Sequence, residues 1–186
     1  MFRPSPRLRT ACAALLLATA TGLVSAADAL AATGSGVWQK HDINFRYVGF
    51  TSIFSCEGLA DQLKLLLVSA GARPDARATP GACANGAGQP DRMASARLVY
   101  YTLLPAPESA ASADAVPGQW RRVALSVDHP RELKEGDCEL MEQFRDEIVR
   151  KTFTTRNLAA RISCVPHQVA GTRFSLEFEA LGAAPK

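Results

Sequence analysis

The sequence predicts an α+β fold: a two-layer sandwich of about six mainly antiparallel strands with two helices on one face. Two observations predict it. Segments in which apolar and polar residues alternate surround two segments of helical periodicity. One-sided alternation of that kind marks a sheet with one face on the core and the other in water. The second observation is a repeated order of rare residues. Trp38, Cys56 and Cys83 are followed by Trp120, Cys138 and Cys164, at separations of 82, 82 and 81 residues. The pattern reads as one strand-helix-strand-strand unit used twice, about 37–104 and 119–181, within a single domain 32–186.

Residues 1–31 read as a signal peptide. Arg3, Arg7 and Arg9 precede an uncharged apolar stretch, Ala11 to Val24. Small-x-small sites end at Ala31 and, as the alternative, at Ala26. The stretch falls short of the roughly 20 residues of a spanning helix, so no stable membrane insertion is expected after cleavage. Removing residues 1–31 takes away three arginines and Asp28. Lys plus Arg falls from 21 to 18 and Asp plus Glu from 18 to 17, so the net charge drops from +3 to +1. No field of one sign is left to argue for nucleic acid or an anionic membrane. The expected location is the periplasm or the exterior.

Ala32 to Gly36 reads as a flexible lead-in. Ile43, Phe45 and Tyr47 alternate with Asn44 and Arg46, which predicts a strand, and Gly49 to Ser55 is a connection. Leu59, Leu63, Leu66, Leu67 and Ala70 lie on one stripe of a helix over 56–72, with Ser55 as N-cap and Gly71 and Pro74 as its stop. Residues 76–83 predict a short strand broken at Pro80-Gly81, 84–92 an open loop, and 96–104 a well-buried strand. The Ala/Ser/Pro-rich stretch 105–118 reads as a linker between the units.

The second unit opens at Trp120. Val123, Leu125 and Val127 predict a strand that ends at His129-Pro130. Asp137 is the expected N-cap of a helix whose apolar face is Leu140, Met141, Phe144 and Ile148. Glu139, Glu142, Asp146, Glu147, Arg145, Arg150 and Lys151 read as its solvated face. Ala160, Ile162 and Cys164 predict one strand; Phe174, Leu176, Phe178 and Ala180 predict the last.

Four cysteines in an exported chain imply two disulfides, and counting leaves all three pairings open. Behind the Asp137 cap, Cys138 falls in the first helical turn, and Cys164 shares parity with Ile162. A Cys138–Cys164 bridge would tie the helix start to a core strand, closing a loop of about 26 residues worth roughly 3 kcal/mol. Cys56–Cys83 is its counterpart, with strand parity interrupted at Pro80-Gly81. The alternative is that the bridges run between the halves. No Cys-x-x-Cys supports redox chemistry.

Catalytic signals are sparse. His41-Asp42 and Asp128-His129 are adjacent pairs, and neighbours on a strand point to opposite faces. Cys164 and His167 are three apart, fewer ligands than a structural metal site uses. Tyr100 and Tyr101 read as core and sheet residues rather than a base-stacking platform. The sequence contains no Gly-x-Ser-x-Gly, His-Glu-x-x-His or phosphate loop.

Around Ser55-Cys56-Glu57-Gly58-Leu59, Gly71-Ala72-Arg73, Gly136-Asp137-Cys138-Glu139-Leu140 and Pro166-His167-Gln168, the chain resembles a family of small exported proteobacterial proteins of uncharacterised function. The resemblance covers most of residues 32–186 and implies no activity, cofactor or catalytic residue. A non-catalytic binding module for a protein or small-molecule partner is therefore expected, with no nucleic acid and no cofactor. Its expected surface is Asn85 to Arg92 with Pro166 to Gly171. The alternative is a metal-binding or hydrolytic enzyme using His129, His167 and nearby acids.

Overall fold

The computed structural model describes residues 34–83, 88–106 and 114–184. The signal peptide with both cleavage sites, Asn85 to Ala87, and 107–113 of the linker lie outside the described residues. One six-stranded sheet, wholly antiparallel, carries two helices. The elements are β1 (Gly34–Val48), α1 (Cys56–Ser69), β2 (Arg77–Pro80), β3 (Met93–Pro105), β4 (Val116–Ser126), α2 (Cys138–Phe144), β5 (Thr155–Ser163) and β6 (Arg173–Ala183). A 3-10 turn, Glu135–Asp137, leads into α2, which runs on through a π segment, Arg145–Val149, to a last turn, Arg150–Thr152. Among the described residues, no helix is long and apolar enough to cross a membrane.

Strand order is β2-β3-β1-β4-β6-β5. It reads alike outward from the centre: β1, β3, β2 on one side and β4, β6, β5 on the other. β1 and β2 run the same way but do not pair, because β3 lies between them. Among the described residues, the two groups of three strands pair only where Gly34–Gly36 meets Val116–Gly118. This corrects two expectations, since Gly34 to Gly36 is strand rather than lead-in, and Val116 to Gly118 is strand rather than linker. Glycine hides the strand by showing no alternation, yet packing requires it at Gly36. A Cβ there would lie 2.6 Å from Leu103 Cγ.

The core lies between sheet and helices. The α1 stripe of Leu59, Leu63, Leu66 and Leu67 is fully buried, each side chain contributing about 2 kcal/mol. Ser55 caps that helix by accepting from the Gly58 amide at 3.0 Å. At the other end Gly71, at φ +101°, turns the chain back while the Ala72 amide donates to Leu67. Leu140, Met141, Phe144 and Ile148 of the second helix meet Phe174, Leu176 and Phe178 of β6 in one cluster.

Both disulfides lie within a half: Cys56 with Cys83, and Cys138 with Cys164, at Cα separations of 6.0 and 5.6 Å. Each ties the first turn of a helix to the chain just beyond a sheet strand.

Asp137 does not cap α2. The 3-10 turn carries it into near-helical geometry, and its carboxylate turns back to accept from the Lys134 amide at 2.7 Å and Gln62 Nε2 at 3.2 Å. Burial raises its pKa, and the Lys134 amide only partly offsets this.

A polar chain joins the end of the second helix to the sheet. The Thr102 hydroxyl donates to the Thr152 carbonyl at 2.7 Å, so its oxygen accepts from His41 Nε2–H at 2.8 Å. That selects the neutral Nε2–H tautomer of His41, whose ring stacks on Tyr100. Thr152 in turn donates to Ile148 and accepts from the Tyr100 hydroxyl, whose pKa burial pushes up to about 12.

Burial lowers the pKa of His41. The unfolded chain therefore binds the proton more readily, and this part of the stability, full above about pH 6.5, is lost as pH falls through that value. His41→Gln is expected to reduce the difference in urea midpoint between about pH 7.5 and about pH 5.5. An unchanged difference would place the titration elsewhere.

Candidate functional site: the loop end of the sheet

Three loops converge at the end of the sheet where β1 finishes and β3 begins. The first is 49–54. Its Gly49 amide donates to the Arg92 carbonyl, and Phe54 forms a two-way bridge with Asp91. The second is therefore 88–92, whose Gly88 amide also reaches Glu57 on α1. The third is 165–171. The Thr51 hydroxyl donates to the Val165 carbonyl and accepts from the His167 amide, and the Phe50 and His167 rings meet edge-on at 6.3 Å.

One buried carboxylate organises the first loop. Glu139 Oε2 accepts from the amides of Phe50 at 3.0 Å, Thr51 at 3.1 Å and Ser52 at 3.5 Å, and from the Tyr47 hydroxyl at 3.2 Å. Successive amides turned to one point form a nest for an anion, here filled by the protein itself. Burial alone would raise the Glu139 pKa, but the amides of Thr51, Phe50 and Ser52 and the Tyr47 hydroxyl together hold it below the ordinary value. The Tyr47 hydroxyl is displaced upward, first by burial and then by the neighbouring carboxylate.

One helical turn on, the Gln143 amide group replaces a strand neighbour. Its Oε1 accepts from Val48 N at 3.0 Å and its Nε2 donates to Val48 O at 2.8 Å. Ser52 Oγ donates to the Gly136 carbonyl, closing the loop onto the turn before α2. Gly49 is confined as well, because a Cβ there would strike the Tyr47 hydroxyl and the Ser52 carbonyl.

Glu139 is thus no part of a solvated helix face; it is only 8% exposed. Sequence reasoning placed it with the surface charges because it stands in a run of charged residues along the helix. The usable signal was a polar pair, Glu139 and Gln143, one turn apart beside the apolar stripe.

The held loop displays apolar side chains to water. Phe50 is 59% exposed, Ile53 and Met93 55%, with Val48 and Val169 close behind. Val48 and Met93 are direct partners across β1 and β3. These five are all but one of the large exposed hydrophobic residues among those described, the sixth being Val68 on α1. Of the expected surface, 88–92 and 166–171 lie here. Phe50 and Ile53 were missed because they sit in a connection without periodicity.

Both candidate histidines are exposed, on separate turns. His129 is exposed on the turn after β4, beyond Asp128, whose carboxylate binds Lys134 Nζ at 2.5 Å. His167 is exposed in the third loop at φ +62°, and the nearby Cys164 sulfur is in its disulfide. Among the described residues, no three His, Cys, Asp or Glu side chains gather as a metal site would require.

The fold also sorts charge. At the outward positions of the strands stand eight basic side chains and three acidic ones. The helices, with residues 128–137 ahead of α2, carry ten acids against six basic residues. The near-zero net charge of residues 32–186 conceals two oppositely charged sides, because strand alternation sends every second residue outward.

The outer face has a small apolar centre of its own. Leu103 and Leu181 are buried over Gly36 and Gly118, beside Trp38 and Trp120. Arg73 lies 3.7 Å from the Tyr101 ring centroid and 5.6 Å from that of Trp38, and Arg156 lies 3.8 Å from that of Trp120. Such stacks hold the indoles in place.

This is a disulfide-pinned α+β sandwich with an apolar loop end. Neither family profiles, nor curated proteins, nor solved structures yield a match to the chain.

Proposed function

We propose that the chain is a non-catalytic, exported binding module of the periplasm that meets its partner through the loop end. The apolar cluster of Val48, Phe50, Ile53, Met93 and Val169 carries this proposal. Grouped exposed hydrophobics mark interaction sites, whereas single ones need no explanation. The Glu139 nest supports it, since a loop held by several hydrogen bonds loses little freedom on binding. Two disulfides fit an oxidising compartment. The chain also reads as two copies of one unit, which the strand order and the paired Trp–Cys–Cys spacing support.

Site-specific photocrosslinking in the periplasm tests the assignment. A crosslinker at Ile53 is expected to give a discrete adduct that one at Val68 does not. Phe50→Asp is expected to abolish that adduct while leaving the thermal midpoint unchanged. Equal adducts from Ile53 and Val68 would overturn it.

A further inference from the structure

We infer that the outer face of β2, β3 and β1 docks on an anionic lipid surface through headgroup phosphates. β1 and β3 pair without interruption from Gly36–Pro105 to Val48–Met93, so their outward residues form one continuous face. Lys40, Arg46, Arg77 and Arg97 stand on it with one strand acid, Asp42, while Asp75, paired with Arg73, lies beside Lys40 and Arg77. Asp42 is taken by Arg97, through paired contacts of 2.9 and 2.7 Å. Lys40, Arg46 and Arg77 are exposed and make no ion pair within 4 Å among the described residues.

Three features select a lipid surface over another polyanion. First, the cations grade into apolar side chains on the same face. Arg46 is two residues from Val48, and Met93 lies opposite Val48. Arg46 walls two adjoining grooves, one of about 540 Å³ with Asn44, Gly81 and Ser95, the other of about 290 Å³ with Met93, Ala94 and Cys83. Phosphate-binding cations beside apolar groups that enter the headgroup boundary are what an interfacial surface needs. A nucleic-acid backbone has no use for Val48 and Met93. Second, Arg73 stacks on the Tyr101 ring at 3.7 Å, so the ring face it covers is closed to a base. Third, the acidic helices lie on the opposite side of the sheet, so an anionic leaflet favours one orientation.

The inference names a partner class for the binding module and rests on that proposal through Val48 and Met93. Co-sedimentation of the mature protein with vesicles tests it. Binding is expected to vesicles half phosphatidylglycerol and not to phosphatidylcholine alone, and to weaken as salt rises. Arg46→Gln with Arg77→Gln is expected to lower the partition about 25-fold, about five-fold per cation. Val48→Ser with Met93→Ser is expected to weaken it further. Circular dichroism and the urea midpoint are expected to match wild type in both variants.

Equal binding to both vesicle types, or to neither, overturns the inference. So does tighter binding to single-stranded DNA than to the anionic vesicles. A persistent Ile53 adduct without vesicle binding removes the lipid and leaves a protein partner at the loop end. Loss of both removes the binding module too.

Discussion

Glu139→Ala is expected to lower the unfolding free energy by about 3 kcal/mol and to free residues 49–52. The side chain accepts four hydrogen bonds at one oxygen, three of them from consecutive amides. A hydrogen bond to a charged group contributes about 1.5–3 kcal/mol, and bonds sharing an acceptor do not add. Some of the released amides will find water, which keeps the total near the cost of one or two such bonds. Glu139→Gln keeps an acceptor but loses the charge, and about half the loss is expected.

Urea unfolding gives the magnitude, and amide exchange at Phe50, Thr51 and Ser52 gives the location. A loss below about 0.5 kcal/mol would mean that water serves the nest as well as the carboxylate does. Because the folded pKa is held below the ordinary value, this stabilisation is present above about pH 4.5 and is lost as pH falls through the folded value. It is thereby separable from the His41 contribution, which fades nearer neutrality.

Cys138→Ser with Cys164→Ser is expected to cost about 3 kcal/mol, the chain-entropy value for a loop of this size. The Cys56–Cys83 loop is one residue longer, so its entropic contribution is nearly equal. The consequences differ. Cys138 is buried and immediately precedes Glu139, so opening its bridge also loosens the helix turn that holds the nest. Amide protection at Phe50 to Ser52 is therefore expected to fall in the Cys138/Cys164 variant and to persist in the Cys56/Cys83 variant. Equal protection in both would show that the nest does not depend on the bridge.

Segments governed by local chemistry were legible in the sequence. The α1 stripe with its Ser55 cap and Gly71 stop, and the alternation of β6, report burial directly. Segments governed by partners distant in sequence were not. Gly34 to Gly36 carries no side-chain pattern, and its strand character depends on residues 116–118. Asp137 suits a helix cap by residue type, but Gln62 and Lys134 claim its carboxylate. Glu139 resembles its exposed neighbours until the 49–52 amides are placed around it. Net charge also misleads here, since a sum over the chain erases the separation that strand parity creates.

The glycine seam has a mechanical consequence. The sheet is two three-strand panels sharing three residue pairs, Gly34–Gly118, Ser35–Pro117 and Gly36–Val116. Pro117 has no amide hydrogen to give, and three of the other five seam residues, Gly34, Gly36 and Gly118, supply no interlocking side chains. Torsion between the panels therefore concentrates in this short line, and the core and helices beneath it act as the spring that sets the dihedral angle between the two plates.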